Sequence, residues 1–420
     1  MRGNGTGLGS IPNNPPPARL LDITRLARRA GRTPTGIDRV ELAYLRALSD
    51  RPDPLWTILR SSLGYLLLNA EGSRAALRLF EQGGWGAADW LSRLRGLEPV
   101  RARAEASLRR LACARCAPPG LARMLRRHLP TGIAYLNTGH SNLTARMIAA
   151  LRRVPGARLA VLVHDTIPLD HPDTQRPETA RAFAAFLART ARHADLVIAT
   201  ARATRVDITR HLAAAGRVPP LVVAPLGVTP PRPDPAALPA GLPPAGPYFV
   251  ALGTIEPRKN HALLLDLWED LARDGVRPLP ALVLCGARGW RNEAFLARLD
   301  ASPLLGSTIL EAPGLSDGAV GALLHGARAL LFPSRAEGYG LPPLEAAALG
   351  VPVLCSDLPV LRELLGDIPV YLPATESYPW RKKITSLAAS RAEVSKEEGQ
   401  SRTFAAPGWQ AHFKTVLSVT

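Results

Sequence analysis

Short apolar runs alternate along the chain with longer stretches whose apolar positions recur three and four residues apart. A short apolar run bounded by turn residues suits a strand buried on both faces. The spaced pattern suits a helix lying over it, so the chain reads as β-α units around parallel sheets. Strands are expected at Arg19–Ile23, Leu55–Leu59, Ile133–Leu136, Leu159–Val163, Leu196–Ala199 and Leu221–Ala224. The stretch Leu55–Leu68 is interrupted by Arg60, Ser61 and Ser62, and reads as a buried strand and turn. A membrane span would need roughly 18 to 20 apolar residues in a row, and no run reaches that. Residues Glu71–Leu129 read as arginine-rich helices inserted between strands and packed partly across one sheet face.

The pattern stops at Thr229–Pro247, TPPRPDPAALPAGLPPAGP, where repeated prolines remove the N–H groups that a helix or central strand requires. This segment is expected to link two domains. Alternation resumes with Tyr248–Leu252, Ala281–Cys285, Thr308–Leu310, Ala329–Phe332, Val351–Cys355 and Val370–Leu372. After a polar and charged run from Lys382 to Arg402, the stretch Trp409–Val419 again has a helical pattern. The expected organisation is a first Rossmann-like domain over residues 1–228, a linker over 229–247, a second Rossmann-like domain over 248–400, and a terminal helical segment over 401–420 that packs back on the first domain. The fold class is α/β, with two doubly wound sheets facing one cleft. Ligands of such sheets bind beyond the carboxyl ends of the strands, so the chemistry is sought there.

The first candidate follows the strand Tyr248–Leu252: Gly253-Thr254-Ile255-Glu256-Pro257-Arg258-Lys259-Asn260-His261, then a helical run over Ala262–Ala272. Gly253 lets backbone approach a ligand, and Arg258 with Lys259 can neutralise a diphosphate. A solvated turn with incidental charges would look similar, but Lys259 is the first lysine anywhere in the chain. Composition therefore does not explain it, and phosphate binding is the favoured reading.

The second candidate is Ser334-Arg335-Ala336-Glu337-Gly338-Tyr339-Gly340-Leu341-Pro342-Pro343-Leu344-Glu345, after the strand Ala329–Phe332. Two prolines suit the first turn of a helix that runs to Leu349 and stops at Gly350. The amides of Gly338–Leu341 then precede a helix N-terminus, which favours anions. Glu337 in the loop and Glu345 one turn into the helix can accept hydrogen bonds from vicinal sugar hydroxyls. Each glutamate alone also fits an ordinary loop or helix-end charge.

A third candidate, His164-Asp165-Thr166-Ile167-Pro168, ends the strand Leu159–Val163 and is placed to face the cleft. A histidine satisfying backbone groups at a strand end fits as well. Thr35-Gly36-Ile37-Asp38-Arg39 offers a glycine before an amphipathic helix, where an acceptor or phosphate could enter.

Composition changes this picture little. The formal charge is +17, with an excess made almost entirely of arginine. Such charge suits nucleic acid, acidic substrates or an anionic membrane surface. The arginines, such as Arg25, Arg28, Arg29, Arg152 and Arg153, are spread out without interleaved aromatics or a nucleic-acid module, which argues against nucleic acid. Four cysteines do not make a disulfide scaffold, and Cys113-x-x-Cys116 lacks the second ligand pair of a zinc site. The N-terminus, with Asn4, Asn13 and Asn14, shows no apolar signal core. A cytoplasmic location is expected, with peripheral contact at the inner face of the membrane as a further expectation.

Taken together these segments resemble family 4 of the glycosyltransferases, a retaining group with the GT-B fold that includes many bacterial mannosyltransferases. The similarity runs through LLDITRL, TGIDRVELAYL, YLNTGHSNL, VLVHDTIPLDHP, VAPLGV, YFVALGTIEPRKNH, LVLCGARGW, ARALLFPSRAEGYGLPPLEAAALGVPVLCSDLPVLREL and WQAHF. Glu337 to Glu345 is the family's E-x7-E signature. The resemblance implies that Arg258 and Lys259 hold the donor diphosphate, Glu345 the ribose hydroxyls and Glu337 the hydroxyls of the transferred sugar. It also implies that Gly338, Tyr339, Gly340 and Leu341 give backbone N–H groups to sugar and phosphate, that His164 contacts the sugar, and that Gly36 and Asp165 lie on the acceptor side. No metal and no cofactor are implied. The partners would be a GDP- or UDP-sugar and a saccharide or lipid-linked saccharide acceptor, in polysaccharide synthesis. Thr254 stands where many members carry arginine, and Thr35-Gly36 where many carry two glycines. A nucleotide-sugar epimerase of the same fold and a non-catalytic basic scaffold are the alternatives to a hexosyltransferase.

Overall fold

A computed structural model describes residues 15–389 and 404–420. The N-terminal asparagines read above, most of the polar run after Lys382 and the domain boundary expected at residue 400 lie outside those residues.

The first sheet is built from β1 (Arg19–Asp22), β2 (Leu55–Ser61), β3 (Gly64–Leu68), β4 (Ala114–Cys116), β5 (Ala134–Asn137), β6 (Arg158–Val163), β7 (Leu196–Ala199) and β8 (Leu221–Val223). Their spatial order is β4-β3-β2-β1-β5-β6-β7-β8. Six of these strands lie close to the expected positions, and β3 and β4 were not expected. The turn expected within Leu55–Leu68 is present at Ser62 and Leu63, but it closes a hairpin in which Ser61 pairs with Gly64, so a second strand follows it. The Ser61 hydroxyl bonds to the Gly64 carbonyl and accepts from Leu63 N–H, so polar residues close the turn rather than end the sheet. The segment Glu71–Leu129 is likewise not purely helical. Its strand β4 adds antiparallel to β3 at the sheet edge, and the half-exposed side chains of so short a strand leave no apolar run to read. Cys113 and Cys116 flank and end this strand as free thiols, as are Cys285 and Cys355.

The second sheet contains β9 (Tyr248–Leu252), β10 (Ala281–Cys285), β11 (Ile309–Glu311), β12 (Leu330–Phe332), β13 (Val353–Ser356) and β14 (Val370–Leu372). All are parallel, in the order β11-β10-β9-β12-β13-β14. Successive residues of β9 enter different apolar clusters. Phe249 and Ala251 face one side, with Trp268 and Leu331, and Tyr248 and Val250 face the other, with Leu330 and Phe332. Burial on both faces explains why these strands read as continuous apolar runs. Each such side chain, like Phe249 at 0% exposure, contributes about 1.5–3 kcal/mol.

The chain crosses the sheet between β9 and β12, so the loops after these two strands flank the crevice where ligands of doubly wound sheets bind. The proline-rich segment runs along the helix Asp317–Gly326, with Asp234 N–H donating to the Gly318 carbonyl at 2.9 Å. The last helix, Trp409–Leu417, lies on the first domain. Nδ1 of His412 lies 3.1 Å from the Ala224 and Pro225 carbonyls, which can only accept, so Nδ1 carries the proton. Tyr44 then donates its hydroxyl to Nε2 at 2.7 Å. Burial lowers the His412 pKa to about 4 and keeps this neutral tautomer. One apolar cluster joins Tyr44 and Leu226 of the first domain to Tyr339 of the second and Val416 of this helix, holding the domains against each other.

Candidate active site at the interdomain cleft

The loop after β9 turns at Gly253 and passes through a short 3-10 turn, Pro257–Lys259, before the helix His261–Arg273. Arg258 and Lys259 therefore sit on an ordered turn. Asn260, in the left-handed region at φ 58°, ends that turn. Its side-chain amide donates to the carbonyls of Pro333 at 3.2 Å and Ala374 at 2.9 Å, fastening this loop to the one after β12.

The two loops meet at Glu337. Lys259 Nζ lies 2.6 Å and Arg258 Nη1 3.0 Å from Glu337 Oε1, while Arg258 Nη2 lies 2.8 Å from Glu256 Oε1. Arg258 also donates to the Ala336 carbonyl, and its own carbonyl accepts from Arg335 N–H at 2.8 Å. The Lys259 ammonium stands 4.4 Å from the centre of the Phe332 ring. Burial works against the charge of each group in this cluster. For Glu337 the adjacent Lys259 and Arg258 outweigh burial and hold the carboxyl below its usual range. For Arg258 the carboxylates of Glu337, Glu256 and Asp165 outweigh it, and the guanidinium holds its proton more tightly than usual. For Lys259 burial wins over Glu337, and its pKa is lowered. The sequence suggested separate roles for the cations and for Glu337, whereas the structure places them on one another. A diphosphate entering here would compete with a carboxylate for both cations.

Gly338 and Gly340 are needed for close approach and turning. A β-carbon on Gly338 would lie 2.7 Å from Asp165 Cβ and Oδ2 on the opposite domain. Gly340, at φ +89°, is the left-handed cap of the helix Leu341–Ala348, which has proline in its first turn. Pro342 and Pro343 have no N–H and Leu344 donates back to the Gly340 carbonyl, so the positive end of this helix is presented through its dipole and the Leu341 N–H. Tyr339 turns away, donating its hydroxyl to the Leu226 carbonyl at 2.6 Å near the domain junction. Glu345 is 5% exposed, and burial raises its pKa to about 7 against the opposing effect of Arg39.

In the first domain, His164 directly follows β6 with Nε2 2.7 Å from the Thr138 carbonyl, so this nitrogen carries the proton. Burial lowers its pKa to about 4 and keeps the ring neutral. Its backbone N–H donates to His140 Nε2 at 3.2 Å, so both the ring, through Thr138, and the main chain of His164 are tied to the loop after β5. Asp165 accepts from Ile167 N–H at 3.1 Å. Burial, helped by Glu337, raises its pKa despite Arg258. Gly36, at the start of the helix Gly36–Ser49, comes within contact of the opposing Leu341 side chain, which lies 3.4 Å from where its β-carbon would be.

Several cleft residues were not found from the sequence. Arg39 bonds Glu345, 306 positions further along the chain, and Trp290 and Arg291 donate to the carbonyls of Thr174 and Gln175. Glu363 accepts from the N–H groups of Arg202 and Ala203. Arg39 and Trp290 lie inside the segments TGIDRVELAYL and LVLCGARGW, but nothing local shows which domain a side chain will meet. Glu256 was inside the first motif, and its proximity to Arg258 was the available signal.

Residues 239–374 match the family model for glycosyl transferases group 1. A serotype-specific mannosyltransferase, WbdA of Escherichia coli, is 31% identical over 243 residues, covering 53% of this chain and 30% of that protein. O-antigen chain mannosyltransferase B of Escherichia coli is 37% identical over 120 residues, covering 29% of this chain and 31% of that protein. The matched stretches thus span less than a third of the length of either relative. Among solved structures, Anabaena Alr3699/HepE in complex with UDP-glucose superposes with a TM-score of 0.60 at 15% identity, over 96% of each chain. WaaG, a glycosyltransferase involved in lipopolysaccharide biosynthesis, gives 0.59 at 14% identity, over 96% of this chain and 99% of that one. Both superpose over nearly the whole length of this chain, which shows a shared fold. The chain has the GT-B fold, and the Arg258–Lys259–Glu337 cluster lies inside the stretch similar to the glycosyl transferases group 1 model.

Proposed function

We propose that the protein transfers a hexosyl group, mannosyl as the first candidate, from a nucleoside-diphosphate sugar to a saccharide or lipid-linked saccharide, with retention of anomeric configuration. The observation that carries this reading is the cluster of Arg258, Lys259 and Glu337 at the crossover of the second sheet. When the bond between the sugar and the diphosphate breaks, negative charge grows on the departing phosphate oxygen. Arg258 and Lys259 are already desolvated beside that position, where a cation stabilises an anion most. The positive end of the helix Leu341–Ala348 adds to the same field. Glu345 supplies a carboxylate for a ribose diol and Glu337 one for sugar hydroxyls. The acceptor approaches from the first domain, past Gly36, His164 and Asp165. Its hydroxyl proton passes to an oxygen of the departing diphosphate as the new glycosidic bond forms, and no metal ion is required. The mannosyltransferase names of the sequence relatives support the choice of sugar and a role in O-antigen or related polysaccharide synthesis. No helix among the described residues is long and apolar enough to cross a membrane. We place the enzyme in the cytoplasm, with access to lipid-linked acceptors at the inner leaflet.

The test is incubation of the full chain with GDP-mannose, and in parallel with UDP-sugars, with and without oligosaccharide acceptors. The expected result is release of nucleoside diphosphate that depends on acceptor, with a product one hexose heavier. Conversion of the sugar nucleotide to its epimer without acceptor would replace this reading by an epimerase. Binding of nucleic acid that falls steeply with salt, with no consumption of any sugar nucleotide, would replace it by a scaffold.

A further inference from the structure

Arg39 belongs to the first domain, yet its guanidinium ends in the second. Nη1 lies 2.8 Å from Glu345 Oε1 and Nη2 2.5 Å from Asp317 Oδ1. The platform that carries it is rigid. Asp38 caps the helix Gly36–Ser49 by accepting from Thr35 N–H, and the same carboxylate is held at 2.7 Å by both Arg25 and Arg29. Gly36, the first residue of that helix, faces Leu341, which begins the helix carrying Glu345: a β-carbon on Gly36 would lie 3.4 Å from the Leu341 side chain. The geometry is therefore a fixed arm from one domain resting on a ligand-binding carboxylate of the other.

Burial of Glu345 favours its neutral form, and a neutral carboxyl is a poorer partner for two hydroxyl donors than a carboxylate. Two charged groups face it: Arg39, which stabilises the charge, and Asp317, which opposes it. Arg39 takes Oε1, and among the described residues no donor reaches Oε2. A guanidinium bridging Glu345 and Asp317 also cancels much of the repulsion between them.

We propose that Arg39 is a positioning residue for the nucleotide: reaching from the first domain, it holds Glu345 as an oriented carboxylate, so that the ribose diol is gripped fully only while the domains are closed. This rests on the reading of Glu345 as the ribose ligand. Arg39 thereby couples nucleotide binding in one domain to the placement of the acceptor loop in the other.

The experiment titrates GDP and UDP, each beside its 2′,3′-dideoxy counterpart, into the full wild-type chain and into Arg39→Ala, Arg39→Lys and Glu345→Gln by calorimetry. The wild type is expected to prefer the ribose form of its nucleotide by about tenfold or more, as a site built for hydroxyls rejects an analogue without them. Arg39→Ala should shrink that preference to about threefold or less while leaving dideoxy affinity within about twofold, and Arg39→Lys should recover part of it. The pH below which ribonucleotide affinity falls should move upward in Arg39→Ala, because the carboxyl protonates more readily without its counter-ion. Three results would overturn the proposal: an unchanged preference in Arg39→Ala, equal weakening of both nucleotide forms, or tighter binding, which would make Arg39 a plug. If Glu345→Gln keeps the wild-type preference, the ribose reading itself fails. If Glu345→Gln loses the preference and Arg39→Ala keeps it, only the role of Arg39 fails. A wild-type chain that binds neither nucleotide would remove the donor reading on which both rest.

Discussion

The Lys259 ammonium lies 2.6 Å from Glu337 Oε1, joining the tips of two loops 78 residues apart at the crossover of the second sheet. Neither charge is free to remain buried alone. With the ammonium 9% exposed and the carboxylate 7%, removal of one partner leaves the other desolvated. Lys259→Met should lower the unfolding free energy by about 2 kcal/mol, less than a fully broken buried pair because Arg258 still contacts Glu337. Adding Glu337→Gln should restore much of that stability without restoring transfer. Urea unfolding of the single and double variants measures it, and equal stability of all three chains would show that the pair carries no such cost.

Glu345 makes stability depend on pH in a predictable direction. Burial raises its pKa to about 7 in the folded chain, so between the ordinary carboxyl range and pH 7 the folded state holds a proton that the unfolded state has released. The stabilisation from this group is full at low pH and is lost as pH rises through 7. Glutamine does not titrate. The stability of Glu345→Gln relative to wild type should therefore increase by about 2 kcal/mol from pH 5 to pH 8. A constant difference over that range would mean that Glu345 titrates as an ordinary carboxyl.

Much of this architecture was legible because parallel strands covered on both faces carry continuous apolar runs: Tyr248–Leu252 and Ala281–Cys285 have the expected bounds. Both motifs following β9 and β12 were also legible, since a lone lysine beside arginine, and two prolines after a glycine, are local signals. What escaped was non-local. The turn after Leu55–Leu59 was legible from Arg60, Ser61 and Ser62, but not that Gly64–Leu68 returns beside β2 as a strand, because a turn leading out of a sheet and a hairpin turn use the same polar residues. The strand Ala114–Cys116 owes its place to an edge partner rather than to its own residues. The pairing of Glu337 with Lys259, and of Glu345 with Arg39, depends on how two loops and two domains face each other, which no spacing along the chain encodes. The helix Trp409–Leu417 had a helical pattern, but its attachment through His412 to Tyr44 required the folded chain.

On the proposed mechanism, in which Arg258 and Lys259 rather than a divalent ion neutralise the leaving diphosphate, chelation should leave turnover intact. Initial rates with and without EDTA, on enzyme passed through chelating resin, are expected to agree within about twofold. Loss of activity restored by Mg²⁺ or Mn²⁺ would show that these cations do not suffice.

The central claim is that Glu337 acts at the reacting sugar, within the cationic cluster, while Glu345 acts on the nucleotide. Steady-state kinetics with varied donor, on Glu337→Gln and Glu345→Gln shown by melting to be folded, tests it most directly. Glutamine keeps the volume and part of the hydrogen bonding while removing the charge. Interactions that strengthen in the transition state appear in kcat, and those made equally with bound donor appear in KM. Glu337→Gln should lose about a hundredfold in kcat with little change in donor KM, and Glu345→Gln should raise donor KM about tenfold with kcat nearly kept. Near-wild-type constants for both variants would contradict the account, leaving the two glutamates as structural charges at a loop and a helix end.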